Sequence, residues 1–176
     1  RRGTCRRTLR CGPVTRREIR SERQDQGRRA MTTASGRIGR LSADVRSLTD
    51  RIPDDDVDDC LGRLALVVID VSDIGACDPV RDALAQWQTS RRVSVDTRRR
   101  LEALMVQRDV DGFAAHRSSD VTTQRAHFRA ARGLTCLAVI FDSDAAVRYR
   151  LREAVYEASA ALGGGAGVVA VLTEFA

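Results

Sequence analysis

Two aspartates at the end of an apolar run are the strongest candidates for chemistry in this sequence. The segment LAVIFDSDA spans residues 137–145, and its apolar part leads directly into Asp142 and Asp144. Carboxylates two residues apart at the end of a strand are suited to holding a hard cation such as Mg²⁺. Aspartate and serine also cap helices, so Asp-Ser-Asp is equally typical of a break between two helices. We favour the helix break. A metal-dependent enzyme that uses the two aspartates is kept as an alternative that requires an α/β fold.

The Asp-x-Asp segment resembles the start of haloacid-dehalogenase-type phosphatases and the metal-binding motif of some glycosyltransferases. The phosphatase pattern calls for Thr or Val soon after the second Asp, and for a later Lys and a later acidic pair. Here Ala145 and Ala146 follow, the chain contains no Lys, and only 32 residues remain after Asp144. The sequence therefore predicts no metal site at this position.

Other patterns match chemical motifs only formally. GAGVVA (residues 165–170) has dinucleotide-binding spacing, but that motif needs a strand before it and a long helical unit after it, whereas six residues follow here. DDDVDD (residues 54–59) suits the positive end of a helix. The two histidines are His116 and His127, and nine helical residues would place Cys136 about 13 Å from His127. We predict no catalytic residue, no cofactor and no metal ion.

One arginine cluster is a candidate contact for an anion or a nucleic acid. It consists of Arg91, Arg92, Arg98, Arg99 and Arg100. Guanidinium groups at a helix start can bind phosphate through paired hydrogen bonds. A solvated helix face explains the same cluster and is the interpretation we favour.

The positive charge is concentrated at the beginning of the chain. Residues 1–30 hold eleven Arg against three carboxylates, whereas residues 31–176 hold nineteen Arg against twenty-one, for +6 overall. With few apolar residues, residues 1–33 are predicted to be a disordered Arg-rich lead. We favour a non-native upstream extension, with Met31 as the true start. A basic arm that binds RNA, DNA or an acidic partner is the alternative.

Composition also bears on the compartment. The chain has no Lys and no Asn, which indicates a GC-rich genome. Its five cysteines form no C-x-x-C pair, and Cys60, Cys77 and Cys136 lie in apolar surroundings, so we expect buried free thiols in a reducing cytoplasm. No apolar run approaches the length of about 18 residues that a transmembrane helix needs, and we expect no membrane partner.

Apolar residues recur every three or four positions along most of the chain, which predicts helices. The clearest stripes are Ile38, Leu41, Val45, Leu48 and Ile52, followed by Val57, Leu61, Leu64, Val68 and Val71. Further helices are predicted after Asp78-Pro79, from Asp96, from Ser119 or Asp120 to Phe141, and over residues 145–162. GFAAHRSSD (residues 112–120) is predicted to be a loop, and GGGAG a helix stop.

The predicted fold is mainly α, a single-domain bundle of about five or six helices over residues 34–176. The alternative is an α/β fold with a small parallel sheet. Its strands would lie at residues 64–71, 91–95, 136–141 and 167–172.

Residues 60–107 resemble small all-helical immunity proteins of bacterial toxin systems. In those proteins a helix with an early Cys leads to a D-P-x-x-x-A-L-x-x-W helix and a short basic turn. The matching residues here are Cys60, Asp78, Pro79, Ala83, Leu84 and Trp87. REAVYEASAALG is similar to their paired Ala-rich helices. The resemblance covers about half of the chain and implies a bacterial protein that acts by binding another protein.

Since no set of nucleophile, base and oxyanion donor is found, we predict a non-catalytic cytoplasmic protein-interaction protein, with immunity-like binding through a helical surface. The partner would be another protein. The alternative is a nucleic-acid-binding protein that uses residues 1–30 together with Arg91–Arg100.

Overall fold

A computed structural model of the chain describes residues 37–176. Within this range 78% of the residues are helical and none lies in a strand, which confirms the mainly α prediction and shows the α/β alternative to be wrong. The helices are α1 Ala43–Arg51, α2 Val57–Val71, α3 Asp78–Ser90, α4 Val95–Arg117, α5 Val121–Ile140, α6 Val147–Ala161 and α7 Gly165–Thr173. The Arg-rich lead, Met31 and the nucleic-acid-binding arm proposed for residues 1–30 lie outside the described residues.

The first predicted helix is interrupted. A turn at residues 39–42 separates a helical end at Arg37-Ile38 from α1, whose N-cap is Ser42, with the Ser42 hydroxyl accepting from the Val45 amide at 3.4 Å. Ile38, Val45 and Ile52 are nevertheless all buried. The apolar spacing therefore predicted correctly which side of the segment faces the core, but it did not predict the turn at Gly39.

Helix α2 contains residues 64–71, which the α/β alternative predicted to be a strand. A 3₁₀ turn at Asp54–Asp56 follows Pro53, and the β-branched run at residues 64–71 is helical. The buried residues of α2 are Val57, Cys60, Leu61, Leu64, Ala65 and Val68. Their spacing is that of one helix face, and the tertiary contacts on that face outweigh the preference of Val and Ile for strands.

The middle of the chain forms a long antiparallel hairpin of α4 and α5. Ser94 caps α4 by accepting from the Thr97 amide at 3.3 Å, and Asp120 caps α5 by accepting from the Thr123 amide at 3.0 Å. Helix α4 runs to Arg117, so the loop predicted for residues 112–120 is wrong for all but its last three residues. Gly112 is accommodated inside α4 because it faces α5, where its open side meets the Cβ of His127.

The last two helices complete the bundle. The predicted break at Asp142-Ser143-Asp144 separates α5 from α6, and α6 is buried along most of its length. Gly163 and Gly164 then adopt positive φ angles of 73° and 153°, a conformation that glycine tolerates, and turn the chain into α7. Helix α7 spans all of the residues predicted as a closing strand at 167–172 in the rejected α/β alternative.

The core lies where α2, α6 and α7 meet the second half of α5. Its largest fully buried side chains include Leu61, Leu64, Ile74, Leu134, Leu137, Ile140, Phe141, Leu151 and Leu172. Trp87 of α3 joins it, with its ring centroid 5.8 Å from that of Phe141. Helix α4 packs mainly on α5 and more weakly on α3, so the outer side of the hairpin is left exposed.

Candidate protein-interaction surface

The five arginines predicted to contact an anion do not converge on one point. The Arg91 guanidinium donates to Asp59 at 3.1 Å and lies 4.3 Å above the Trp87 ring. Arg100 donates to Asp82 at 2.8 Å. The Arg91 ion pair links the end of α3 to α2, and the Arg100 ion pair links α4 to α3. Both guanidinium charges are therefore neutralised by carboxylates of the same chain.

Arg98 contacts both aspartates of the Asp142-Ser143-Asp144 segment. Its guanidinium donates to Asp142 at 3.2 Å and lies 3.9 Å from Asp144. Asp142 also accepts from the backbone amide of Asp144 at 3.3 Å. Arg92 and Arg99 are exposed, and neither makes an ion pair within residues 37–176. The Asp-x-Asp segment is thus a helix break tied to α4 by an arginine.

The acidic run at residues 54–59 is likewise bound by arginines. Arg148 pairs with Asp54, and Arg150 donates to Asp58 at 3.0 Å. Arg150 also donates to the Ile140 carbonyl at 3.2 Å. In the described part of the chain, no group of three or more His, Cys, Asp or Glu side chains is placed to hold a metal ion.

The described cysteines are all free thiols, and two of them are buried. Burial raises the pKa of Cys136, whose Sγ donates to the Ala154 carbonyl at 3.4 Å. Burial also raises the pKa of Cys60 to about 12. Both thiols are therefore protonated at neutral pH and poor nucleophiles. Cys77 is half-buried and is also a free thiol.

The outer half of the α4–α5 hairpin contains an open cavity of about 220 Å³, which we call the hairpin groove. It is lined by Arg108, Asp109, Gly112, Phe113, His116, Gln124 and Phe128. Phe113 and Phe128 are 68% and 52% exposed. Large aromatic side chains exposed next to each other mark interaction surfaces more often than isolated exposed residues do.

The absence of a side chain at Gly112 helps to open the groove. At this level α4 and α5 come close together, and an added Cβ at Gly112 would lie 3.4 Å from the Cβ of His127. One turn further out, His116 Nδ1 lies 3.4 Å from Gln124 Oε1 across the two helices. The groove thus has an apolar rim and a polar outer end.

Arg132 fixes the inner end of the hairpin groove. Its guanidinium stands 5.7 Å from the Phe128 ring, 3.3 Å from Glu157 and 4.0 Å from Asp109. Glu157 belongs to α6 and is 1% exposed. A buried carboxylate of the core therefore orients the arginine that supports Phe128, which connects the groove to the bundle.

A second exposed feature follows the outer side of α4. Ala103, Val106, Val110 and Phe113 alternate spacings of three and four residues, and all four are exposed. We call these four residues the outer stripe. Arg99 and Arg117 continue the same spacing at its two ends and are also exposed.

The sequence interpretation missed both features, because it assigned residues 112–120 to a loop and credited α4 only with its inward residues. A usable signal was present. The 3, 4, 3 spacing of the outer stripe is as regular as that of the core helices, but it lies on a second face of α4, and a helix with two apolar faces has no simple amphipathic pattern.

Comparison with protein-family models, with curated protein sequences and with solved structures finds no match to this chain. Among the described residues, no helix combines the length and the apolar character needed to cross a bilayer.

Proposed function

We propose that this chain is a non-catalytic protein-interaction protein that binds another protein through the hairpin groove. The observation that carries the proposal is the exposure of Phe113 and Phe128 on either side of the groove. Burying such aromatic side chains against a partner removes apolar surface from water, and aromatic anchors of this kind dominate binding energies at interfaces.

The size of the groove fits a single side chain of a partner protein better than a small molecule. Sites for small molecules and cofactors usually enclose about 300–1,000 Å³, and the groove measures about 220 Å³ and is open to solvent. One apolar side chain of a partner, such as Leu or Phe, fits this space. Asp109, His116 and Gln124 also line it and can form hydrogen bonds with polar groups of a partner.

The charge of the hairpin also favours a protein. Residues 102–129 contain four Arg and four carboxylates, so they offer no basic stripe of the kind that nucleic-acid binding needs. Arg91, Arg98 and Arg100 are engaged with carboxylates. We place the protein in a bacterial cytoplasm, where free thiols persist, and its action would be immunity-like, with the groove covering part of a toxin.

The test is capture of partners on immobilised full-length chain, comparing the unaltered protein with Phe128→Arg. Leu66→Arg is the matched control, because Leu66 is 43% exposed on α2, away from the hairpin. We expect at least one protein to be retained by the unaltered chain and the control but lost by Phe128→Arg. That protein, once purified, should bind at least tenfold more weakly to Phe128→Arg.

Two results would contradict the proposal. One is that Phe128→Arg and Leu66→Arg retain the same proteins in the same amounts. The other is catalytic turnover by the purified chain that Phe128→Arg leaves unchanged. The immunity-like role has a separate test, in which co-expression of the chain must relieve growth arrest caused by the product of a neighbouring gene.

A further inference from the structure

We infer that the outer stripe pairs with the outer stripe of a second copy of this chain, in a weak antiparallel dimer. This goes beyond the proposed function, because the surface lies on the outer side of α4 and shares only Phe113 with the hairpin groove. The occupant follows from three properties of the stripe: its spacing, the order of its side-chain sizes and its charge.

The spacing of the stripe is that of a coiled-coil seam. From Arg99 to Arg117 the exposed positions are separated by four, three, four, three and four residues, which is the heptad alternation by which two helices interlock. At 1.5 Å per residue the seam is about 27 Å long. Helix α4 packs on α5 and α3 with its other sides, so no other helix of residues 37–176 covers the seam along this length.

The order of sizes along the stripe is self-complementary only in one arrangement. A twofold axis that crosses α4 at residue 108 places Val106 opposite Val110 of the other copy, and Ala103 opposite Phe113. At each end of the seam the small Ala103 of one copy then packs against the large Phe113 of the other. At the centre Val106 of each copy packs against Val110 of the other. Such an isologous contact is what twofold symmetry requires. In a parallel pair, each Phe113 would instead meet Phe113 and each Ala103 would meet Ala103, leaving overpacking at one level and a gap at the other.

One pair of side chains beside the seam fits the same arrangement. Glu102 and His116 lie on the same flank of α4, and the antiparallel pair brings Glu102 of one copy towards His116 of the other. Asp109 would approach its own counterpart near the axis, but its carboxylate faces Arg132 at 4.0 Å. At each end of the seam, Arg99 of one copy lies opposite Arg117 of the other. Both side chains are exposed, so this like-charge contact weakens the dimer without preventing it.

The area of the contact sets the expected strength. A seam of about 27 Å and one helix diameter of about 10–12 Å buries roughly 300 Å² per chain, or roughly 600 Å² in total. Stable complexes bury about 1,200–2,000 Å². We therefore expect a reversible dimer with a dissociation constant between about 10 μM and 1 mM.

The experiment is sedimentation velocity of the full chain from about 5 to 500 μM. The weight-average mass should rise from 19.4 kDa towards twice that value. Val110→Arg should weaken association at least tenfold. Val71→Arg, the matched control, should leave it unchanged, because Val71 is 47% exposed on α2 and Val110 is 54% exposed in the stripe.

A size exchange tests the antiparallel register. Ala103→Phe alone places two phenylalanines opposite each other and should weaken association at least fivefold. Adding Phe113→Ala to the same chain restores one large residue opposite one small residue at each end, and association should return to within about twofold of the unaltered chain. Circular dichroism of each variant must match that of the unaltered chain, since all these positions are exposed.

The inference is overturned if the chain stays monomeric up to 500 μM, or if Val110→Arg and Val71→Arg associate equally strongly. It is also overturned if the double variant Ala103→Phe with Phe113→Ala associates as weakly as Ala103→Phe alone. Because Phe113 belongs to both surfaces, the hairpin groove is tested through Phe128, which is not part of the stripe. Loss of partner capture by Phe128→Arg, with dimerisation intact, would show that the two surfaces act separately.

Discussion

At the scale of single residues, Gly133 has the tightest surroundings of the glycines in residues 37–176. A Cβ built there would lie 2.7 Å from Ser72 Oγ and 3.0 Å from Ser72 Cβ. Gly133 and Ser72 are both buried, so α5 and the end of α2 can approach this closely only without a side chain at this position. The contact is steric, and no hydrogen bond within residues 37–176 depends on it, since Ser72 Oγ has no partner there.

Gly133→Ala should lower the free energy of unfolding by about 1–3 kcal/mol, as overpacking in a core does. Urea denaturation followed by circular dichroism measures the loss. The matched control is Gly112→Ala, because Gly112 is also helical but an added Cβ there meets only the Cβ of His127, at 3.4 Å. The control should gain about 0.5–1 kcal/mol from its better helix propensity. Equal effects of both substitutions would show that the Ser72 contact is not limiting.

At the scale of elements, the α4–α5 hairpin depends on one cap at its turn. Ser119 adopts a positive φ of 60°, and Asp120 then accepts from the backbone amide of Thr123 at 3.0 Å. The backbone hydrogen bond from Thr123, aided by one from its hydroxyl, lowers the pKa of Asp120 below its ordinary value. The ionised form is therefore favoured in the folded state.

A lowered pKa in the fold means that the stabilisation is present above the unfolded value of about 4 and is lost as the pH falls through the folded value. Asp120→Asn retains a capping oxygen but no charge. It should be less stable than the unaltered chain at pH 7, and the difference should shrink as the pH falls through the folded value, as measured by urea denaturation across the acidic range. Asp120→Ala should be the less stable of the two variants across the same range. A constant difference between Asp120→Asn and the unaltered chain at all pH values would contradict a role for the charge.

The hairpin also shows where sequence reasoning succeeds and where it stops. Spacing placed α2, α3, α5 and α6 correctly, because each has one apolar face. Of the predicted caps, Asp120 is observed at the start of α5, whereas Asp78 lies inside α3, whose N-cap is Cys77. The end of α4 was misplaced, because a glycine such as Gly112 is unfavourable inside a helix and common at its end. Only the contact between Gly112 and α5 reveals why the helix continues. The ion pairs of Asp54, Asp58, Asp142 and Asp144 join residues from about 40 to 95 positions apart, a relation that local spacing does not contain.

At the scale of the whole molecule, Arg37 joins the beginning of the described chain to α6. Its guanidinium donates to Glu153 at 2.7 Å and to Glu157 at 2.8 Å, and stands 4.7 Å from the Tyr156 ring. The two carboxylates are 4% and 1% exposed. Partial burial opposes the charged form of Arg37, but the hydrogen bond to Glu153 and the charges of Glu157 and Glu153 raise its pKa. The guanidinium therefore remains charged under all ordinary conditions.

Arg37→Ala should lower the free energy of unfolding by about 1–3 kcal/mol, because it leaves buried carboxylate oxygens without a donor. Thermal or urea denaturation measures this, with Arg40→Ala as the control, since Arg40 is exposed and makes no ion pair among the described residues. Arg37→Lys should recover only part of the loss, because an ammonium cannot span two carboxylates as a planar guanidinium does. Full recovery by lysine would show that the charge alone matters.

The enclosed position of Trp87 makes the chain its own spectroscopic reporter. It is the one tryptophan of the sequence, 2% exposed, and its neighbours are Phe141, Arg91 and Gly62, none of which belongs to the outer half of the hairpin. Indole fluorescence therefore follows the melting of the core, whereas far-ultraviolet dichroism follows every helix. If the outer half of α4 and α5 unwinds before the core on heating, the dichroism curve will fall while the emission maximum stays short, and the gap between the two curves will report the separate stability of that arm without any label.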